Sequence, residues 1–402
     1  MKALIKSSIT LLMVLSVVLS QSSCRVIESD LSSDDTITES DITSLQDTSS
    51  TADPVPTPDS SVTISMVGDV LLHEKVSDSG KMDDGSYNYD HLFANVKTDI
   101  ENADISIVNQ EVILGGREMG LSGYPSFNGA FEVGDAIAGA GFDIVLHATN
   151  HTIDRGSRAV KNCMEFWDTK HPQIAVLGIN SSAEEQQNIY IRTENGIKIA
   201  FLNYTYGTNG IPLPADMPYC VNILEEKKLR QDIALAEELA DFTVVLPHWG
   251  TEYILEPDNS QKYWTQVMFE CGVDLVIGTH PHVIEPVEMI ENDDHSMLVY
   301  YSIGNFINST AQSGKGIANR MVGAIANVKI DRSEDENVDI IDYGVTPIVT
   351  HVLTGSGKIT TYKLSDYTDE LASQNEIVSS DPSFSLNYCE NLVNEVFGEL
   401  ID

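Results

Sequence analysis

Basic residues are scarce in this chain: 23 Lys and Arg stand against 61 Asp and Glu in 402 residues, a formal net charge of -38. Gripping a nucleic-acid backbone needs clustered Lys and Arg, and no such patch occurs, which argues against nucleic acid as a partner. The same imbalance disfavours loose electrostatic capture of any anionic polymer. Cysteine is scarce too. Of five in the chain, Cys163, Cys220, Cys271 and Cys389 are scattered with no C-x-x-C pair, which argues against a zinc ribbon or a thioredoxin-like site and for buried thiols. No internal repeat is evident, and the apolar segment at residues 9–19 is too short for a comfortable membrane-spanning helix.

That short segment follows Lys2 and Lys6 and precedes Ser20-Gln-Ser-Ser-Cys24, the layout of a secretory signal over residues 1–23. Cys24 resembles a bacterial lipoprotein processing site, with Gln21 where that pattern usually has an aliphatic residue. Lipidation there would make the protein an extracytoplasmic, membrane-anchored lipoprotein; ordinary cleavage beside an incidental cysteine is the alternative. Residues 24–61 are Ser, Thr, Asp and Pro with almost no large apolar side chains. Such a stretch cannot offset its ordering entropy by burial and reads as a disordered acidic tether.

Histidines punctuate the ends of apolar runs. Residues 243–246 lead into Pro247-His248-Trp249, and residues 275–277 lead into Gly278-Thr-His280-Pro-His282. An apolar run bounded by turn residues reads as a buried strand, and open α/β sheets bind ligands at the carboxyl ends of their strands. Three neutral imidazoles arriving there form a candidate metal site. Oxygen donors arrive in the same way: the run from Ser61 ends in Gly68-Asp69, the run from Asp104 in Asn109-Gln110-Glu111, and the run from Phe142 in His147-Ala-Thr-Asn150-His151. Alone, Asp69 could be a turn residue and Asn150 a helix cap. Repetition at successive strand ends favours ligands, because the mixture of oxygen and nitrogen donors is what divalent transition ions take. His73 is open to either a ligand's or a loop cap's role.

The remaining pattern predicts helices over residues 90–103, 132–140 and 224–240, the last with Leu229, Ile233, Ala236 and Leu239 inward, a helix ending at 265–271, and a final one over 384–397. The alternation of strands and helices from Ser61 to Gly278 predicts a mostly parallel sheet with crossover helices. Residues 321–330 and 338–353 read as long strands without helices between them, expected to complete a second sheet. The Gly- and Ser-rich loop over residues 113–128 is expected to wall the substrate pocket.

Gly68-Asp69, Asn109-Gln-Glu111, Asn150-His151-Thr-Ile-Asp154, His248-Trp-Gly-Thr-Glu252-Tyr253, Gly278-Thr-His280-Pro-His282 and Tyr301-Ser-Ile-Gly-Asn305-Phe306 resemble, in order, the motifs of the poly-gamma-glutamate capsule biosynthesis protein CapA family. That family is similar to the calcineurin-like metallophosphatases. The resemblance implies an α/β fold, a four-layer, two-sheet sandwich flanked by helices, with a core over residues 62–310 and residues 311–402 completing the second sheet. It further implies two divalent ions, manganese, zinc or iron: Asp69 and His282 on one, Asn150, His248 and His280 on the other, Glu111 between them. His151, with Asp154, would act as acid or base, and Glu252, Asn305 and Arg155 would contact substrate or support the ligands. The chain departs from the metallophosphatase pattern in lacking a His two residues after Asp69 and in carrying Glu at the bridging position. Gln110, Thr149 and Glu285 depart from the narrower family. Two functions follow. One is a metal-dependent hydrolase acting on a phosphoester or on the gamma-glutamyl amide of an acidic polymer. The other is a non-catalytic component of polymer assembly, export or anchoring, working with capsule synthesis and export proteins and recognising polymer through the metals and Arg117 or Arg155.

Overall fold

The computed structural model describes residues 60–401. The signal segment, Cys24 and all but the end of the tether lie outside the described residues. In chain order the elements are β1 Val62–Val70, α1 Glu74–Ser79, α2 Lys97–Glu101, β2 Ile105–Asn109, α3 Phe131–Ala140, β3 Ile144–Leu146, α4 Gly156–Lys170, β4 Ala175–Leu177, β5 Tyr190–Glu194 and β6 Ile197–Thr205. There follow α5 Glu226–Leu239, β7 Phe242–His248, α6 Asn259–Glu270, β8 Leu275–Ile277, β9 Val287–Glu291, β10 Ser296–Tyr300 and β11 Asn305–Ile307. The last are β12 Val322–Arg332, β13 Val338–Val352, β14 Ile359–Lys363, α7 Asp369–Gln374 and α8 Leu386–Val396.

Two sheets flanked by helices result. One runs β14-β13-β12-β1-β2-β3-β4, with β11 pairing the end of β1; the other runs β5-β6-β7-β8-β10-β9. The neighbours β1 to β4 are parallel, as are β6, β7, β8 and β10, so their carboxyl ends emerge on common edges. Side-chain alternation sorts the second sheet into two cores. Ile199, Phe201, Val244, Leu246, Leu275 and Ile277 join the large cluster shared with β1, β2 and β3. Ala200, Leu202, Val245, Val276 and Val299 pack instead with Leu229, Ile233 and Ala236 of α5 and with Met268 of α6. Each central strand is therefore apolar on both faces, which explains why it reads as a continuous run.

A buried amide ties the sheets together beside the strand ends. Asn203 of β6 accepts the Ala148 N–H just past β3 at 2.8 Å and donates to the Leu246 carbonyl of β7 at 2.7 Å. Both ends of one side chain are satisfied, so the amide fixes the spacing of the two edges without an unpaired buried group.

Three expectations from the sequence are corrected. Residues 90–103 are not one helix but a 3-10 turn at Asp90–Leu92 followed by the short α2. Leu92, Phe93, Val96 and Ile100 are all buried as the spacing required. Two short turns satisfy that spacing as well as a continuous helix does, and between them Asn95 turns aside to donate to the Thr361 carbonyl of β14 at 3.2 Å. In α5, Leu239 is exposed at the helix end while Leu229, Ile233 and Ala236 are buried. Finally, β12 to β14 extend the first sheet, not the second. β12 pairs antiparallel with β1 from Val62↔Ile330 to Val67↔Ile325. No helix among the described residues is long and apolar enough to cross a membrane.

Candidate metal centre

The donors come from strand ends of both sheets. Gly68-Asp69 lie at the end of the β1 ladder just before Val70, where the backbone passes so close to Gly304 that a Cβ on residue 68 would lie 1.9 Å from the Gly304 carbonyl oxygen. Glycine is required there by close approach, and the approach lets the Asp69 N–H reach the same carbonyl at 3.2 Å. β2 runs on into Glu111, β3 into Asn150 and His151, β7 into His248, and β8 into His280 and His282. The two histidines after β8 hold φ of 101° and 59°. Such backbone costs on the order of 1–3 kcal/mol at each non-glycine residue, strain of the kind that collects at functional sites.

Asp69, Glu111 and His282 offer donor atoms within 4.8 Å of one another, and so do Glu111, His248 and His280. Glu111 belongs to both groups. Asn150 Oδ1 lies 3.0 Å from His248 Nε2. The Nε2 atoms of His248 and His282 each lie 3.7 Å from Glu111 Oε1, too far for a hydrogen bond. Both carboxylate oxygens of Glu111 and Nδ1 of His280 are buried with no hydrogen-bond partner among the described residues. An unpartnered carboxylate removed from water costs several kcal/mol. A divalent cation among these oxygens and nitrogens supplies the missing partner, so the donor set fits the ions it was expected to hold. A third group, Glu252 with His280 and His282, reaches solvent through the exposed Glu252.

For His248 and His280 electrostatics support the same use. Burial, with His280 and His282 adding to it, holds the His248 imidazole well below its ordinary pKa, and burial does the same to His280. Both rings therefore present neutral nitrogens. Burial pushes the Glu111 carboxyl well above the usual carboxylate range. Burial works against the charged form of His282 as well, but the carboxylates of Glu111 and Asp69 outweigh it and raise the ring to about 9.

Behind the donors a layer of polar groups sets their orientation. Asn109 Nδ2 donates to Asp69 Oδ1 at 2.7 Å, and Thr279 Oγ1 lies 3.0 Å from His248 Nδ1. Both lie inside the quoted motifs, but the sequence pattern assigned them no role. Asn305, expected to contact substrate or to support the ligands, is buried behind His282 with its Oδ1 3.0 Å from Nδ1 of that ring. Glu285 is also buried, hydrogen-bonded by the Gln261 amide. Thr149 Oγ1 donates to the Glu111 carbonyl at 2.7 Å, and Gln110 Nε2 to the Val112 carbonyl at 2.7 Å. Where the metallophosphatase pattern places a His, Leu71 is buried.

At the edge of the cluster His151 Nδ1 meets Asp154 Oδ2 at 2.7 Å, and the ring packs edge-on against Phe127 at 4.7 Å. His73 falls outside the donor groups and packs edge-on against the same Phe127 at 5.6 Å. Arg155 does not reach the cluster. It donates to the Met119 carbonyl at 2.8 Å and to Ser122 Oγ at 2.8 Å, holding the loop over residues 113–128 in shape. Arg117 pairs with Glu132 at 3.0 Å. Tyr206, just past β6, covers His280 with ring centroids 4.7 Å apart, and only the strand that precedes it could have marked it in the sequence.

The family described as Bacterial capsule synthesis protein PGA_cap matches residues 63–310. The chain is 26% identical over 255 residues to the capsule biosynthesis protein CapA of Bacillus anthracis, covering 61% of this chain and 59% of that protein. It is 30% identical over 176 residues to the PGA biosynthesis protein CapA of Bacillus subtilis (strain 168), covering 41% of this chain and 42% of that one. The chain thus matches about six-tenths or less of the length of these relatives. Among solved structures it is similar to the Haemophilus influenzae NAD nucleotidase, with a TM-score of 0.45 and 12% identity over 85% of this chain and 63% of that one.

Proposed function

Given that this chain belongs to the bacterial capsule synthesis protein family, we propose that it acts in the synthesis or processing of poly-gamma-glutamate through a hydrolytic metal centre. The observation that carries the reading is the buried Glu111 carboxylate, unpartnered between two histidine-containing donor groups. Asp69 and His282 would hold one divalent ion, Asn150, His248 and His280 a second, with Glu111 shared. When bound, such ions supply Lewis acidity towards a phosphoryl or carbonyl oxygen and a nucleophile at neutral pH. The chain's own part is orientation and proton transfer. Asn109, Thr279 and Asn305 hold the rings and the Asp69 carboxylate in place. Asp154 holds Nδ1 of His151, which leaves Nε2 of that ring to carry a proton to a leaving group. Polymer amide or phosphoester is the substrate class, and capsule synthesis or export proteins are the partners that this reading supplies. Attachment to the outer face of a membrane through a lipid on Cys24 belongs to the same reading, and Cys24→Ser should then leave the membrane fraction.

The test is His151→Ala, assayed with added manganese or zinc on an aryl phosphodiester and on gamma-linked glutamate chains, beside elemental analysis. Loss of a general acid predicts a fall in turnover of roughly 100- to 10,000-fold with the metal content kept. If wild-type protein turns over neither substrate and His151→Ala still supports polymer production in cells, the hydrolase reading gives way to a non-catalytic assembly role.

A further inference from the structure

Arg320 lies in the 3-10 turn Ile317–Met321 that leads into β12, beyond the matched residues 63–310. Its backbone is tied to the metal centre by one side chain: Asn305 Nδ2 donates both to the Arg320 carbonyl at 3.0 Å and to the His282 carbonyl at 3.1 Å. Asn308 adds a second bond to the Arg320 carbonyl at 3.0 Å. From the other side the last part of the chain braces the turn, Asp381 accepting the Gly316 N–H at 2.8 Å and Tyr388 donating to Asn319. The arginine is therefore held at a set place beside His282.

Its side chain reaches back to Tyr253, beside the centre. The guanidinium stacks on the Tyr253 ring 3.3 Å from the centroid, and Tyr253 in turn stacks on His282 at 5.9 Å. Tyr253 is itself held with φ of 67° by a bond from its N–H to the Pro281 carbonyl at 2.7 Å. Stacking uses the face of the guanidinium and leaves its N–H edge free. Among the described residues no hydrogen bond or ion pair uses that edge, although the chain carries 61 acidic side chains for its 23 basic ones. Arg192, Arg230 and Arg332 pair with Asp143, Glu226 and Asp241. A half-buried guanidinium stacked on a ring keeps its remaining donors available to an incoming partner. Nearby, His73 Nδ1 is also buried without a partner. A planar fork beside two donor groups for metal suits one ligand chemistry, an oxyanion taken by two parallel N–H bonds.

We propose that Arg320, positioned by Asn305 and stacked on Tyr253, is a substrate-binding residue that takes a carboxylate or phosphate oxyanion at the mouth of the metal centre. This rests on the reading of that centre as a substrate site. It makes the substrate anionic next to the group that is attacked. It also eases the difficulty raised by a net charge of -38, since recognition is local and supplied by one cation that feels the Glu252 carboxylate but makes no hydrogen bond or ion pair among the described residues.

The experiment is calorimetric titration of metal-loaded full-length protein with inorganic phosphate, with gamma-linked tri-glutamate, and with the tri-glutamate amidated at every carboxylate. Arg320→Ala should weaken binding of the oxyanion that it takes by about tenfold or more while metal stoichiometry stays that of wild type. Arg320→Lys, which keeps the charge but loses the fork, should fall between the two. Weakening confined to phosphate identifies a phosphoryl oxygen as the group taken, and weakening confined to tri-glutamate identifies a carboxylate. The proposal is overturned if Arg320→Ala binds both anions like wild type, if wild type binds neither, or if the amidated peptide loses affinity by the same factor. Should Arg320→Ala melt early, Arg320→Lys and Arg320→Gln at matched stability carry the comparison. Wild-type protein that binds an anion through Arg320 yet hydrolyses no substrate removes the hydrolase reading and leaves this one standing.

Discussion

His151 and Asp154 form a buried pair, Nδ1 to Oδ2 at 2.7 Å, and the same carboxylate oxygen accepts the Phe127 N–H at 2.8 Å. One atom thus sets the orientation of the imidazole and pins the end of the loop that walls it.

Asp154→Asn should separate those two tasks. The amide oxygen can still accept the Phe127 N–H, but it offers the imidazole no negative charge. Turnover is expected to fall by on the order of 100-fold or more with metal content kept, as loss of an orienting carboxylate does elsewhere. Asp154→Ala should in addition speed amide hydrogen exchange at Phe127. Equal exchange in the two variants would mean that the loop is held without Asp154.

Glu111→Gln should lower the metal stoichiometry of the purified protein. A carboxamide can neither supply two equivalent anionic oxygens nor be shared in charge between two ions. In wild type, a divalent ion at about 100 times its dissociation constant should stabilise the fold by about 2.7 kcal/mol, seen as a higher melting temperature that a chelator reverses. Binding should weaken as pH falls, because carboxylate and imidazole ligands must shed protons to coordinate. A melting temperature indifferent to metal and chelator would return Glu111 to the role of a buried acid.

Glu285 predicts a pH dependence of stability unconnected with activity. Burial raises its carboxyl from 4.5 to about 8, against the pull of the Gln261 amide. Between those two values the folded protein keeps a proton that the unfolded chain has lost, so the unfolded state binds fewer protons and stability falls as pH rises. Below about 4.5 the group costs nothing, and above about 8 the whole penalty is present. Glu285→Gln carries no charge at any pH. Denaturant melts of the two proteins should agree near pH 4 and diverge by on the order of a few kcal/mol near pH 9, with the variant more stable. Curves that stay parallel would place the Glu285 side chain in contact with water.

What the sequence determined by itself is the set of strand ends. Parallel strands buried on both faces read as unbroken apolar runs, and the residues that stop such a run stand at the sheet's edge whatever the strand's neighbours are. Asp69, Glu111, Asn150, His248, His280 and His282 were legible for that reason, and six motifs in order brought the family with them. Partnership across space was not legible. Nothing in the apolar pattern of β12 to β14 says whether they join β1 or β9, since alternation specifies a buried face and not the strand beside it; the register Val62↔Ile330 decides it. The same limit left two side chains unplaced. Which of its two expected parts Asn305 takes was open until β11 paired alongside β1, with Asn305 opposite Asp69, and set it behind His282, and Arg155 is spent on loop carbonyls that lie 36 and 35 residues away along the chain. Arg320 had no signal at all. A lone arginine before a strand looks like any other until the turn that enters β12 sets it over Tyr253.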